Sequence, residues 1–175
     1  MHHHVTGKQP NSKLCFVCGL KNQFGLKAAF YELDNSELVA VFTPKEEHQS
    51  YPNRLHGGMA AAMLDETIGR AIMMQYEEEI WGVTLEFSST FRKPVPLDQT
   101  LRIVGRITRD KGRIFEGTGE LLLEDGTVAV EGRGRYLKMP LSKITYFDAE
   151  EQEWRVNLSE TDPTTIKLQT DRKRM

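Results

Sequence analysis

The chain lacks most of what would tie it to a membrane or to nucleic acid. No apolar run in its 175 residues approaches the ~18 that a spanning helix needs. Its first residues contain no apolar stretch of the kind found in signal peptides, so a cytoplasmic location away from any membrane is expected. A charge excess of one sign is also missing. Against 25 Asp and Glu stand 23 Lys and Arg, a net charge of −2, which gives no electrostatic footprint for nucleic acid. Cysteine is scarce: Cys15 and Cys18 are the two thiols, both in "CFVCG". One C-x2-C is half a zinc site, or a redox pair where it opens a helix after a strand, or two thiols packing a segment onto the core. The last reading is the expected one, with no metal. His48, His56 and His2 to His4 would complete a metal site only by coincidence, and "MHHH" is too short to decide anything.

What is present is ordinary globular composition, 39% hydrophobic and 27% charged. The length suits one domain with an appendage. Residues 1–13 are polar and are expected to be disordered, residues 14–140 to form the domain, and residues 141–175 to be a C-terminal extension. "GLKAAFYELDNSELVAVFTP" reads as two strands joined at "LDNS", and "KEEHQSYPN" as a loop. "HGGMAAAMLDETIGRAIMMQYE" reads as one helix of roughly twenty residues, apolar on nearly every side. Four strands follow: "GVTLEFSSTFRKPV", "TLRIVGRITRD", "GRIFEGTGELLLE" and "TVAVEGRGRYLKMP", the last two meeting at Asp125-Gly126, a strong hairpin signal. Leu101, Ile103 and Ile107 alternate with Arg102, Arg106 and Thr108, as in a sheet with one covered face. "ITYFDAEEQEWRV" suits an extra hairpin or helix, and the last dozen residues are expected to fray. A lone apolar helix is hidden by a single sheet only if the sheet curls around it. The exposed flank of such a sheet asks for a partner, so a homo-oligomer is expected.

Three segments resemble the hotdog-fold acyl-CoA thioesterases, in the branch that includes the phenylacetate-pathway and thioesterase-superfamily enzymes. "LHGGMAAAMLDETIG" is similar to the family's H-G-G followed by an acidic residue nine positions after the His. "GVTLEFSSTFRKPVP" resembles the strand after that helix, and "CFVCGLKNQFGLK" an N-terminal signature of one subgroup. The resemblance covers about residues 14–139 and implies an α+β hotdog fold, a curved antiparallel sheet around one long helix. The activity it implies is hydrolysis of an acyl-CoA thioester, with no cofactor because coenzyme A is part of the substrate.

Thioester hydrolysis needs donors where the carbonyl oxygen becomes an oxyanion and a carboxylate that attacks or activates water. Gly57 and Gly58 open the helix, where free N–H groups and the positive dipole end favour negative charge. The resemblance implies that Gly57 N–H polarises the carbonyl, that Asp65 is nucleophile or general base, and that His56 shapes the entrance or assists. Eight residues separate Gly57 from Asp65, roughly 12 Å along a helix. Donor and base on one carbonyl are only about 7 Å apart. Two antiparallel copies across a two-fold axis solve this, each Gly57 meeting the other chain's Asp65. Such sharing, in a dimer or a dimer of dimers, is the family's arrangement. Glu66 lies about 100° around the helix from Asp65 and is expected to pair with Arg70.

Thr84 matches the place where related enzymes orient the attacking water. Ser50 departs from one subfamily's Asn or Gln, leaving Gln49 and Asn53 as candidate second carbonyl donors. Arg92, Lys93, Arg109, Lys111 and Arg113 suit the phosphates of coenzyme A. Two other readings are carried alongside: a non-catalytic acyl-CoA-binding module, and a different hotdog enzyme such as a dehydratase. The second fits poorly with His56 and Asp65 on opposite faces of one helix.

Overall fold

In the computed structural model, which describes residues 1–76 and 80–168, eight strands form one antiparallel sheet around one helix. The strands are β1 (His2–Lys8), β2 (Ala29–Leu33), β3 (Leu38–Phe42), β4 (Ile80–Phe91), β5 (Leu101–Lys111), β6 (Ile114–Leu122), β7 (Val128–Pro140) and β8 (Thr165–Lys167). Their order across the sheet is β4-β7-β6-β5-β3-β2-β1-β8. Helix α1 (Gly57–Arg70) packs against β3, β4, β5, β6 and β7, and a one-turn α2 (Leu141–Ile144) follows β7. Among the described residues no helix is long and apolar enough to cross a membrane.

Local chemistry accounts for these elements. The β6–β7 hairpin turns at Gly126, whose φ of +86° suits a residue without Cβ, while Asp125 Oδ1 accepts the Thr127 N–H at 2.8 Å. On β5, Leu101 and Ile103 are fully buried and Arg106 faces outward, bridging Glu37 and Glu120. Helix α1 buries Ala60, Met63, Leu64 and Ile68, each large one contributing about 1.5–3 kcal/mol by leaving water. Its close approach to the sheet depends on Gly117. A Cβ there would fall 2.5 Å from Ile68 Cγ2.

Several expectations need correction. Residues 1–13 are not a disordered segment: β1 pairs with β2 and β8. Their polar side chains have fixed partners, Lys8 Nζ on Asp162 at 2.7 Å and the buried Asn11 Nδ2 on the carbonyls of Cys18 and Ala28. The start of the last dozen residues does not fray either. β8 lies on β1 with Ile166 and Leu168 buried, and residues 169–175 fall outside the described set. The helix is shorter than expected, 14 residues, continuing as a 3-10 turn over Ala71–Met74. The end of the expected helix, Glu77, is outside the described residues. Of residues 144–156, expected as an extra hairpin or helix, Ile144 ends the one-turn α2, residues 149–153 form a turn, Arg155 bridges Asn11, and Trp154 reaches back onto Trp81. The sequence logic missed these because each rests on long-range pairing that no local period announces.

Candidate active site

Asp65 sits in the third turn of α1, half-buried, its carboxylate facing β4 and β7. Thr84 on β4 and Tyr136 on β7 are cross-strand partners, so both side chains project from one face of the sheet toward α1. The Thr84 hydroxyl is 3.1 Å from Oδ1 and 3.1 Å from Oδ2 of Asp65, and the Tyr136 hydroxyl donates to Oδ1 at 3.0 Å. Burial pushes the Asp65 carboxyl above the usual carboxylate range. The two hydroxyls pull it back in part, and neighbouring Glu66 pushes it up again. Burial and the Asp65 charge push the Tyr136 phenol up, so it stays protonated and remains a donor.

A cavity of about 80 Å³ opens beside this carboxylate, lined by Asp65, Thr84, Gly82, Met73, Trp81 and Trp154 among others. The C-terminal extension closes it: Trp154 lies 5.0 Å from Trp81, centroid to centroid, and Phe147 5.8 Å from Trp81.

Gly57 belongs to a different cavity. It lines an open groove of about 380 Å³ with Ser50, Tyr51, Arg54, Phe91, Arg92 and Lys93. His56 caps α1, its Nδ1 accepting the Gly58 N–H at 2.9 Å, while its own backbone N–H donates to His48 O at 2.9 Å. His48 is buried and fixed in turn, accepting the Lys45 N–H and donating to Phe24 O. Gly57 N–H, at the first helical position, has no intrahelical acceptor. One chain therefore presents a carboxylate and a free helix-end N–H in two separate cavities.

The remaining expected residues fall as follows. Glu66 pairs with Arg70 at 2.7 Å, as expected. Arg92 and Lys93 reach the Gly57 groove, Arg92 held by Glu131 at 2.6 Å. Gln49 and Asn53 do not line that groove. Gln49 bridges Leu55, and Asn53 holds φ at +61° in the turn. Ser50 and Tyr51 line it instead. Arg109, Lys111 and Arg113 surround the β5–β6 turn, and Arg109 faces Glu116 at 3.8 Å. They line neither cavity. Tyr136, Trp81 and Trp154 were missed. Only strand register, which sets Tyr136 opposite Thr84, would have found the first.

A curved antiparallel sheet around one central helix is the hotdog fold. Residues 53–130 match the family model described as thioesterase superfamily. A crystal structure of a thioesterase superfamily protein superposes with a TM-score of 0.63 at 26% identity, over 69% of this chain and 58% of that one. An uncharacterized protein of Schizosaccharomyces pombe is 30% identical over 98 residues, 56% of this chain and 55% of its own. The mouse acyl-coenzyme A thioesterase THEM4 is 24% identical over 117 residues, 66% of this chain and 49% of its own. The chain thus spans about half the length of these two curated relatives.

Proposed function

We propose that the protein hydrolyses an acyl-CoA thioester to the free acid and coenzyme A, in sites shared between two copies of the chain. The observation that carries this reading is the Asp65 carboxylate, turned inward, held by two hydroxyls and made more basic by burial. A structural carboxylate at a helix surface would be solvated or paired with a cation. Asp65 pairs with no cation among the described residues; its partners are the neutral donors Thr84 and Tyr136.

Oδ1 accepts from both Tyr136 and Thr84, whereas Oδ2 has, among the described residues, only the shared Thr84 hydroxyl. Oδ2 is therefore the oxygen with room to accept a water proton. Thr84 Oγ1 retains lone pairs that orient the same water. The attacking hydroxide forms the tetrahedral intermediate, whose oxyanion the partner's helix-end N–H stabilises, and the coenzyme A thiolate leaves. That donor is Gly57 N–H, because a single α1 holds its own Gly57 about 12 Å away. His56 orders this helix start through its bond to Gly58 N–H.

The outer edge of β4 supports an interface. β4 ends the sheet, and Leu85 and Phe91 on it are 48% and 53% exposed. Arg92 and Lys93 at the mouth of the Gly57 groove suit phosphate, with Arg109, Lys111 and Arg113 as a more distant cationic turn. The reaction uses no cofactor, and a cytoplasmic site of action is part of the reading. The name of the mouse relative supports the substrate class. The test is thiol release from a panel of acyl-CoAs. Turnover by the native chain and its loss in Asp65→Asn, with the dimer intact in solution, are expected. Binding without turnover would leave a sensor, and an enoyl product a dehydratase.

A further inference from the structure

The "CFVCG" turn plays no part in the proposed hydrolysis, yet its sulfurs are arranged. Gly19 N–H donates to Cys15 O at 2.7 Å, one helical-type turn that sets the two cysteines side by side. A Cβ on Gly19 would fall 2.4 Å from Cys15 O, so this turn requires glycine. Cys18 N–H points at Cys15 Sγ, 3.5 Å away. The two sulfurs and a Glu66 carboxylate oxygen all lie within 4.8 Å of one another.

The cation in this cluster is Arg70. Its Nε meets Glu66 at 2.7 Å, Nη1 the Pro10 carbonyl at 2.9 Å and Nη2 Cys18 Sγ at 3.1 Å. Its guanidinium carbon is 4.3 Å from the Phe30 ring centre and 5.0 Å from that of Trp154. The Ser12 hydroxyl approaches Cys18 Sγ at 3.5 Å. A guanidinium already contacts both the acid and one sulfur. Among the described residues the cluster offers three metal ligands, one short of a closed tetrahedral site. This arrangement suits a stabilised thiolate better than a metal. The Cys15 thiol hydrogen-bonded to Cys18, with Arg70 and Ser12, pulls the Cys18 thiol down to about 6, while the same hydrogen bond and burial push Cys15 up. Of the two sulfurs, Cys18 is the one held toward the thiolate. Cys18 is fully buried and Cys15 is partly exposed.

We propose that Cys15 and Cys18 are a reversible dithiol–disulfide site, oxidised by a peroxide and reduced by a small thiol. The Cys18 thiolate attacks one peroxide oxygen. The O–O bond breaks, giving a Cys18 sulfenic acid and hydroxide, which removes the Cys15 proton as water. Cys15 thiolate then attacks Cys18 Sγ, the S–O bond breaks and hydroxide leaves. One thiol, one thiolate and one hydrogen peroxide thus become one disulfide and, after uptake of one proton, two waters, with two electrons transferred. Two molecules of a thiol such as glutathione reverse the change through a mixed disulfide. Closure removes the thiolate from Arg70, which keeps Glu66 and the Pro10 carbonyl.

The test uses the full chain, stoichiometric hydrogen peroxide, maleimide blocking and peptide mass spectrometry without reduction. Both cysteines lie in the tryptic peptide of residues 14–21. Loss of both thiols together, with that peptide two hydrogens lighter and fully restored by glutathione, is expected. Cys15→Ser should stop at a sulfenic acid trapped on Cys18, and Cys18→Ser should oxidise at least tenfold more slowly than the native chain. Sulfinic acid on one cysteine of the native chain would overturn the proposal. So would oxidation no faster than that of free N-acetylcysteine. Equimolar zinc that protects both thiols until chelation, and is lost in Cys15→Ser, would replace it with a metal site.

Discussion

The Thr84 hydroxyl stands 3.1 Å from both oxygens of Asp65, and the residue directly across the ladder from Thr84 is Tyr136, whose hydroxyl holds the same carboxylate. Three elements, α1, β4 and β7, thus converge on one acid. Neither hydroxyl can take the proton from Asp65 and both donate to it, so they fix its rotamer while leaving its charge uncompensated. A carboxylate so held is made more basic by burial while two donors favour its charged form, the combination a general base needs.

Tyr136→Phe tests the holding of the acid. The ring stays stacked on Phe115, 4.9 Å between centroids at 14°, so the fold survives. The Tyr136 hydrogen bond lowers the Asp65 value, and its loss moves the acid limb of the rate profile to higher pH. A hydrogen bond to a charged group is worth about 1.5–3 kcal/mol, so kcat/KM on that limb should fall about tenfold or more. A pH–rate profile measures it. An unmoved limb would remove Tyr136 from the site.

Asp65→Asn should trade activity for stability. Asp65 titrates above the ordinary carboxylate value, so the folded state binds its proton more tightly than the unfolded chain does. Stability is then lost as pH rises from the ordinary value through the raised one, the reverse of a salt-bridged acid. The variant is expected to melt a few degrees higher than the native chain at pH 7.5, and the gain should vanish in acid, where both carry a neutral group. Melting curves across pH read this directly. A lower Tm for the variant at pH 7.5 would mean that the ionised Asp65 stabilises the fold.

How much of this was legible beforehand divides along range. The β2–β3 and β6–β7 hairpins, the helix after H-G-G and the Glu66–Arg70 pair all follow from local periodicity and spacing, and all are present. Asp65 was singled out through the family resemblance, whose motif places an acid nine residues after the His. The β1–β8 pair was not, because "HHHVTGK" has no apolar alternation. Its place is set by partners 23 residues or more away, such as Tyr31 and Ile166. Trp154 was hidden for the same reason: it docks from a turn, where no period exists. Arg70 was read as a helix-surface partner for Glu66, yet it is buried, because Phe30, Trp154 and Pro10 come from three other segments.

That burial gives Arg70 a large effect on stability. Arg70→Ala strips Glu66 and Cys18 of their cation and leaves the Pro10 carbonyl without its donor. Removing one member of a buried ion pair costs about 3–5 kcal/mol, which urea unfolding would read as a lower midpoint. Arg70→Lys should recover only part, since one ammonium replaces a planar fork with three separate partners. Full recovery by Lys would show that charge alone matters there.

The sharing of sites between chains has its own test, and it turns on one hydrogen. Gly57→Pro deletes the backbone N–H assigned to the oxyanion and little else. Proline is best tolerated at the first helical position, and His56 before it, at φ −62° and ψ 131°, already has the extended conformation a pre-proline residue prefers. The added ring carbon would touch Phe91 at 3.3 Å, a contact that a surface phenyl relieves by rotating. Losing an oxyanion donor should reduce kcat about 10²–10³-fold. Asp65→Asn should be inactive for a different reason, the loss of the proposed base. When the two inactive chains are unfolded and refolded together, half of the dimers pair one of each. In every such dimer one site has both an intact N–H and an intact carboxylate, and the other has neither. Recovery of about one quarter of native activity is therefore expected from two-fold symmetry alone. If each chain held its whole site, no mixture would contain an intact one, and the refolded pair would stay as inactive as its parents.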